Sequence, residues 1–314
     1  MKKRILTGTF ILLVVAIFLI SRVYTAYAFD VFAGLLAIMG CVEVARVLER
    51  KRMFTNIIFV GSFPAILYVA MQLGIIMKRD WIFLILYFII IMIALFVINF
   101  LYTFFFTGIT KKEKDKYGVF DKDSVYALKK GMNSSFIMVY PAILFASLFM
   151  INHFFDFSFT PTLEVDTNTV TLFFLLYVFV VTMMTDTFAL VVGMLCKGPK
   201  LCPIISPNKT ISGAIGGLVF GAGSGLLVYY LFSSNIIFSE VIAMFDLAWW
   251  KILIVSIITS VIGQIGDLVA SALKRSARVK DYGTIFPGHG GVMDRVDGLI
   301  FNSLTVLISM FILL

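Results

Sequence analysis

"WIFLILYFIIIMIALFVINFLYTFFFT", Trp81 to Thr107, contains no charged residue, no proline and no glycine. A helix needs about 20 consecutive apolar residues to cross the hydrocarbon of a bilayer, and this run exceeds that. A membrane barrel strand would be about 10 residues long with strict alternation. This stretch is longer and apolar on every side, so it reads as a membrane-spanning helix. Similar runs recur along the 314-residue chain, which is 61% hydrophobic and only 14% charged. Soluble domains sit near 45–50% apolar and about 25% charged. The expectation is an all-α, polytopic integral membrane helical bundle of about nine transmembrane helices, at 5–21, 29–48, 56–77, 81–107, 133–152, 169–195, 213–232, 241–266 and 296–314.

The net charge of +8 is divided unevenly between the loops. With nine crossings, Arg22, Lys78, Arg79 and Lys251 fall on one side, and every other Lys and Arg falls on the other. By the positive-inside rule the basic side is cytoplasmic, so the N-terminus is expected in the cytoplasm and the C-terminus outside. "MKKR", an apolar run and "AYA" at Ala26–Ala28 also fit a cleaved signal peptide, although Arg22 between them favours an uncleaved helix. Cys41, Cys196 and Cys202 have neither disulfide nor metal spacing. No internal repeat or linker divides the chain. Residues 1–132 carry the N-terminal helices and a basic loop, 109–131, and residues 133–314 form the C-terminal half of one continuous bundle. The seven lysines of that loop suit anionic headgroups, or a collar that concentrates an anionic substrate.

Within the spans, two carboxylates stand out, Glu43 and Asp186. A charge near the bilayer centre costs roughly 2.5–3.5 kcal/mol on insertion scales. Each is therefore expected to line a polar cavity or to make a hydrogen bond between helices. "KGPKLCPIISPNKTISGAIGG" (Lys197 to Gly217) is an irregular Pro- and Gly-broken connector with Lys197, Lys200, Lys209, Ser206 and Thr210, a weak phosphate-loop signal. The eighth span ends "VIGQIGDLVASALKRSARVKD". If its helix runs past the membrane, Asp267, Ser271, Lys274 and Arg278 share a face. Asp267 sits where apolar sequence gives way to polar, a depth at which a carboxylate can hold a hard cation. "KDYGTIFPGHGGVMDRVDG" (Lys280 to Gly298) follows, its glycines and proline shaping a loop before Asp294 and Asp297. A helix restarting there would put both aspartates on one side, next to Arg295. Carboxylates with a lysine-rich flank suit magnesium, which takes one or two of them plus phosphate oxygens. Of the two histidines, His289 lies in this loop; His153 lies at a membrane edge and reads as structural.

The stretch "SALKRSARVKDYGTIFPGHGGVMDRVD", Ser271 to Asp297, resembles the signature of the phosphatidate cytidylyltransferases, or CDP-diacylglycerol synthases. The pattern is a serine, a Lys-Arg pair, a Lys-Asp pair, a Pro-x-His-Gly-Gly run and Asp-Arg-x-Asp. "SPNKTISG" (Ser206 to Gly213) is similar to a second family motif, and the resemblance extends to Asp186 and, more loosely, Glu43. One position departs, since Ser212 stands where the family usually has glutamate.

The resemblance implies that CTP and phosphatidate give CDP-diacylglycerol and pyrophosphate, with magnesium and room for a second metal ion. On that reading Asp267 and Asp294 bind metal and Asp297 assists. Lys209, Lys274, Arg275, Lys280 and Arg295 hold phosphates, together with Ser206, Ser271, Gly290 and Gly291. His289 orients a phosphate or moves a proton. The resemblance also suggests a homodimer. Partners are then CTP, phosphatidate of the inner leaflet and membrane lipids, with no nucleic acid, in a cell membrane with the site facing the cytoplasm. Two related readings stay open, a cytidylyltransferase and a CTP-dependent kinase acting on an isoprenoid lipid. An ion-coupled transporter fits less well, because no inverted repeat is visible and the charges cluster at one surface. A CDP-alcohol phosphotransferase is disfavoured by "DGLIFN" after Val296, which lacks that class's signature.

Overall fold

The computed structural model describes residues 2–51, 53–77, 81–106, 123–157, 167–234 and 236–314. Most of the basic 109–131 loop lies outside the described residues, as do Lys78, Arg79, Glu164 and Asp166. The elements are α1 (Lys2–Ser21), α2 (Ala26–Arg50), α3 (Ile57–Met77), α4 (Trp81–Phe106), α5 (Asp123–Ile137), a π-helical segment (Met138–Ile143), α6 (Leu144–Asn152), α7 (Thr167–Cys196), β1 (Lys200–Cys202), β2 (Ser206–Thr210), α8 (Ile211–Ser233), α9 (Ile236–Met244), α10 (Trp249–Ser276) and α11 (Met293–Leu313). Among the described residues, eight helical stretches are long and apolar enough to cross a membrane, and Thr7–Ser21 is a shorter apolar helix. The chain is an all-α polytopic bundle.

Three stretches differ from the sequence expectation. The fifth expected span, 133–152, begins earlier, at Asp123, and is interrupted by the π-helical segment Met138–Ile143. The apolar run 241–266 is broken at 245–248, where Asp246 takes a left-handed conformation (φ 47°) and its carboxylate meets Lys251 at 2.9 Å. The spanning helix starts at Trp249 and ends at Ser276. Arg278 lies beyond that end, left-handed (φ 56°) and exposed, so it leaves the face that Asp267, Ser271 and Lys274 share. The irregular connector after α7 is also more ordered than its composition suggests. It forms a two-stranded antiparallel hairpin, with Lys200 opposite Thr210 and Cys202 opposite Ser206.

A seam of small residues brings three helices together. Gly213, Gly216, Gly217, Gly221 and Gly225 of α8 press on α7 and α10, and a Cβ at any of them would collide with Thr185, Ala189, Val192, Ser256 or Ser260. Lipid supplies little hydrophobic drive between helices, so close backbone approach and interhelical hydrogen bonds do the joining. Thr185 donates to Ser260 (3.1 Å), Tyr177 and Ser256 share a hydroxyl bond (2.7 Å), and Asn302 of α11 donates to Thr182 of α7 (2.7 Å). The aromatic and aliphatic core, including Phe29, Phe63, Phe145, Leu148, Phe173 and Tyr177, is fully buried between the helices.

At the far end of α11, where Phe154 stacks edge-on to Phe311, a polar knot ties the N-terminal helices to the rest. Buried His153 sits between Asp30 (Nε2 to Oδ2, 2.8 Å) and Asp156 (Nδ1 to Oδ2, 2.5 Å). Asn152 donates to Asp30 (2.8 Å), and Arg22 donates to Asn152 and to Asn168. Burial opposes charge on the imidazole, but the two carboxylates outweigh it and push the His153 pKa up to about 9 from 6.5. The protonated form is therefore favoured by folding. Its contribution is complete below about pH 6.5 and is lost as pH rises through about 9. Thermal unfolding in detergent should show a midpoint that falls between those pH values, and His153→Gln should flatten the slope. A midpoint independent of pH over that window would show that the knot carries no proton linkage.

Candidate active site

α10 and α11 are joined by residues 277–292, many of them exposed, with Tyr282, Gly291 and Val292 buried against the bundle. Irregular backbone inside a membrane protein is tolerated only where its polar groups find partners. Two carboxylates provide them. Asp294, in the first turn of α11, accepts from the Tyr282 amide (2.7 Å) and the Gly291 amide (2.9 Å) on one oxygen, and from Lys274 Nζ (2.7 Å) on the other. Glu43, from α2, accepts from the Val292 amide (3.0 Å) and the Met293 amide (2.8 Å). Gly288 (φ 79°) and Gly290 (φ 86°) make the sharp turn that a Cβ would strain. A side chain at Gly290 would also run into the Asp294 carboxylate.

The Asp267 carboxylate of α10 lies at this end of the bundle. It meets Lys209 of β2 at 2.5 Å and accepts from Ser271 (3.3 Å). Asp297 is buried one turn into α11 and accepts from the Gly298 amide (3.0 Å). Its charged neighbours are Asp267, Asp186 and Lys274. Asp186 in turn has Asp267, Lys209 and Arg295 around it. Three acids from α7, α10 and α11 thus converge, interleaved with three cations. The Lys274 ammonium also lies over the Tyr282 ring, 5.3 Å from its centroid.

The remaining sequence-derived candidates are spread over several places. Arg295, His289 and Asp186 line a cavity of about 400 Å³. Its other walls are mostly apolar, from α1 (Phe10, Ile11, Val14), α2 (Phe32, Leu36) and α7 (Phe179, Met183). The Arg275 guanidinium donates to the carbonyls of Ile205 (3.3 Å) and Val279 (3.0 Å), bracing the hairpin against the end of α10. Ser206 opens β2 and Lys280 is exposed in the loop. Glu43 does not line the cavity: both its oxygens face backbone amides.

Ser212, where the sequence departs from the motif it resembles, sits in the first turn of α8, donates to the Lys197 carbonyl and lies 3.2 Å from Thr210 Oγ1. It ties the hairpin's base to the helix whose N-terminus Thr210 caps, through the Gly213 amide (3.1 Å).

Tyr282 was not among the sequence candidates. It is buried, its hydroxyl donates to the Ala270 carbonyl (3.0 Å), and its amide holds Asp294. Burial, helped by Tyr140, Asp297 and Asp294, raises its pKa beyond the usual phenol range, so it remains a neutral donor. A lone tyrosine in a glycine-rich loop carries no sequence signal of this role.

Among the described residues, no group of three or more His, Cys, Asp or Glu is arranged as a metal cage. The donor set still fits magnesium, because that ion takes few protein ligands and completes its shell with water and phosphate oxygens. Asp267 and Asp294 offer hard carboxylate oxygens, each balanced here by a lysine.

A family model described as "Cytidylyltransferase family" matches residues 2–313. Among curated proteins, the chain is 44% identical over 130 residues to a phosphatidate cytidylyltransferase of Staphylococcus haemolyticus, covering 41% of this chain and 46% of that protein. It is 43% identical over 136 residues to the protein of that name from Staphylococcus saprophyticus, covering 43% and 48%. It is 41% identical over 126 residues to that of Brucella abortus, covering 40% and 42%. The chain thus spans about half the length of the curated relatives it matches.

The Lys274–Asp294 pair is nearly enclosed, with side chains 10% and 3% exposed. Lys274→Met should therefore leave an uncompensated buried carboxylate and lower stability by roughly 3 kcal/mol. Adding Asp294→Asn should recover part of that loss, and thermal unfolding of the two variants in detergent checks both.

Proposed function

The chain belongs to the cytidylyltransferase family, and on that premise we propose that it is a phosphatidate cytidylyltransferase, joining CTP to phosphatidate to give CDP-diacylglycerol and pyrophosphate. The observation that carries this reading is the shape of the cavity. Its walls are apolar for most of their extent and end at Arg295, His289 and Asp186, next to the cluster of acids and lysines. That is the profile of an anionic amphiphile, with tails in oil and a phosphate beside cations.

In the reaction a lipid phosphate oxygen attacks the α-phosphorus of CTP. The new P–O bond forms as the bond to the β-phosphate oxygen breaks, and pyrophosphate leaves with that electron pair. Two anions must approach one another, so positive charge is the main requirement. Lys209 and Lys274 supply point charges, and Arg295 supplies a planar fork able to hold two phosphate oxygens. His289 faces the cavity beside Arg295 and would orient the lipid phosphate. Asp267 and Asp294 would hold magnesium, with Asp297 behind them. When bound, the ion neutralises the triphosphate and the departing pyrophosphate. For a metal to bind, Lys209 and Lys274 must give up part of their contact with the carboxylates, and the phosphates arriving with it are their natural new partners. The charge asymmetry of the loops favours placing this end of the bundle in the cytoplasm of a cell membrane, where CTP is found.

Purified protein in detergent, given phosphatidate, magnesium and CTP labelled at the α-phosphate, should move label into the lipid phase and release pyrophosphate. A chelator should stop the transfer and excess magnesium restore it. Asp294→Ala and Asp267→Asn should each lower turnover by a hundredfold or more, about 2.7 kcal/mol of barrier. Release of CDP in place of pyrophosphate would assign a lipid kinase, and label appearing only with an isoprenoid lipid acid would change the acceptor.

A further inference from the structure

We infer that Glu43 is a positioning residue for this reaction, a carboxylate on α2 that caps the N-terminus of α11 from outside and so sets where Asp294, Arg295 and Asp297 stand. The inference rests on the proposed function for its activity readout.

The first amides of any helix have no partner within it. At the start of α11 they have no water either, since Val292 and Met293 are fully buried. The residue before the helix, Val292, has no capping side chain. Glu43 takes its place, giving one oxygen to the Val292 amide (3.0 Å) and the other to the Met293 amide (2.8 Å). A negative charge at a helix N-terminus is also favoured by the helix dipole. The loop is shaped around this carboxylate. A Cβ at Gly283 or at Gly291 would collide with the Glu43 oxygens, so both positions are kept bare by the same contact. α2 itself comes close enough because Gly40, one turn before Glu43, lies against the Phe145 ring and near Met293. The nearest charges are Arg46, one turn further along α2, and Asp294. Glu43 makes no contact with the cavity, so its effect on chemistry passes through the backbone of residues 291–293. Every phosphate-facing group of α11 lies within five residues of those two hydrogen bonds.

Glu43→Gln keeps the side chain's size but can accept at only one oxygen. The expected result is a detergent-stable protein in which kcat falls between about tenfold and a hundredfold, while KM for CTP and for phosphatidate changes less than about threefold. Hydrogen exchange at the Val292 and Met293 amides should quicken, with the other end of the bundle unaffected. Gly283→Ala, which pushes the carboxylate off those amides, should lower kcat in the same way. Its effect should shrink strongly when combined with Glu43→Ala, because only the milder 3.3 Å contact with the Gly291 Cα is then left. Wild-type kcat and exchange in Glu43→Gln would overturn the assignment, as would full additivity of Gly283→Ala and Glu43→Ala. If Glu43→Gln does not fold, the Gly283→Ala kinetics decide. A wild-type protein that transfers no label to lipid would instead fault the proposed function, and the amide exchange would still report whether Glu43 holds the loop.

Discussion

A backbone amide buried without a partner costs several kcal/mol, and the chain between α10 and the first turn of α11 buries Tyr282, Gly291, Val292 and Met293. Asp294 and Glu43 answer them. One is local to the loop and the other lies some 250 residues away in the chain. The turn glycines, the start of α11 and the depth of Asp297 all follow from those four hydrogen bonds. Irregular backbone is useful here because it places several side chains at one point, and it is permitted here because two carboxylates are already in place.

The same region has a charge problem of the opposite kind. Asp186, Asp267 and Asp297 raise the local negative potential, and Lys209, Lys274 and Arg295 offset it. A site balanced in this way is poised for exchange. On the proposed function, a cation that displaces a lysine from its aspartate would free an ammonium for an arriving phosphate. Arg275 stands outside this balance. Its guanidinium is committed to two backbone carbonyls and stiffens the hairpin that presents Lys209.

The helices around the site are held in different ways. α7, α8 and α10 meet along glycines and hydroxyls, with backbones close enough that one added methyl group would collide. These helices carry Asp186, the hairpin's anchor, Asp267 and Lys274. α1 is attached through the stacked Phe18–Phe32 rings and a Thr7 hydrogen bond to the Pro287 carbonyl (3.3 Å). It forms one wall of the apolar cavity.

The sequence by itself determined that this is a membrane bundle and roughly where most of its helices run. Those properties depend on run length and composition. The run Trp81 to Thr107 is apolar on every side and reads directly as a spanning helix. Tertiary structure decided the partners. Glu43, expected to line a cavity or to bond between helices, takes the second course as the cap of a distant helix; Arg275, a phosphate ligand by resemblance, donates here to two backbone carbonyls; Arg278 left the shared face because its helix ends two residues earlier. Tyr282 had no signal at all. Which group satisfies a buried donor depends on helices packed across hundreds of residues of chain, and no local pattern encodes that distance.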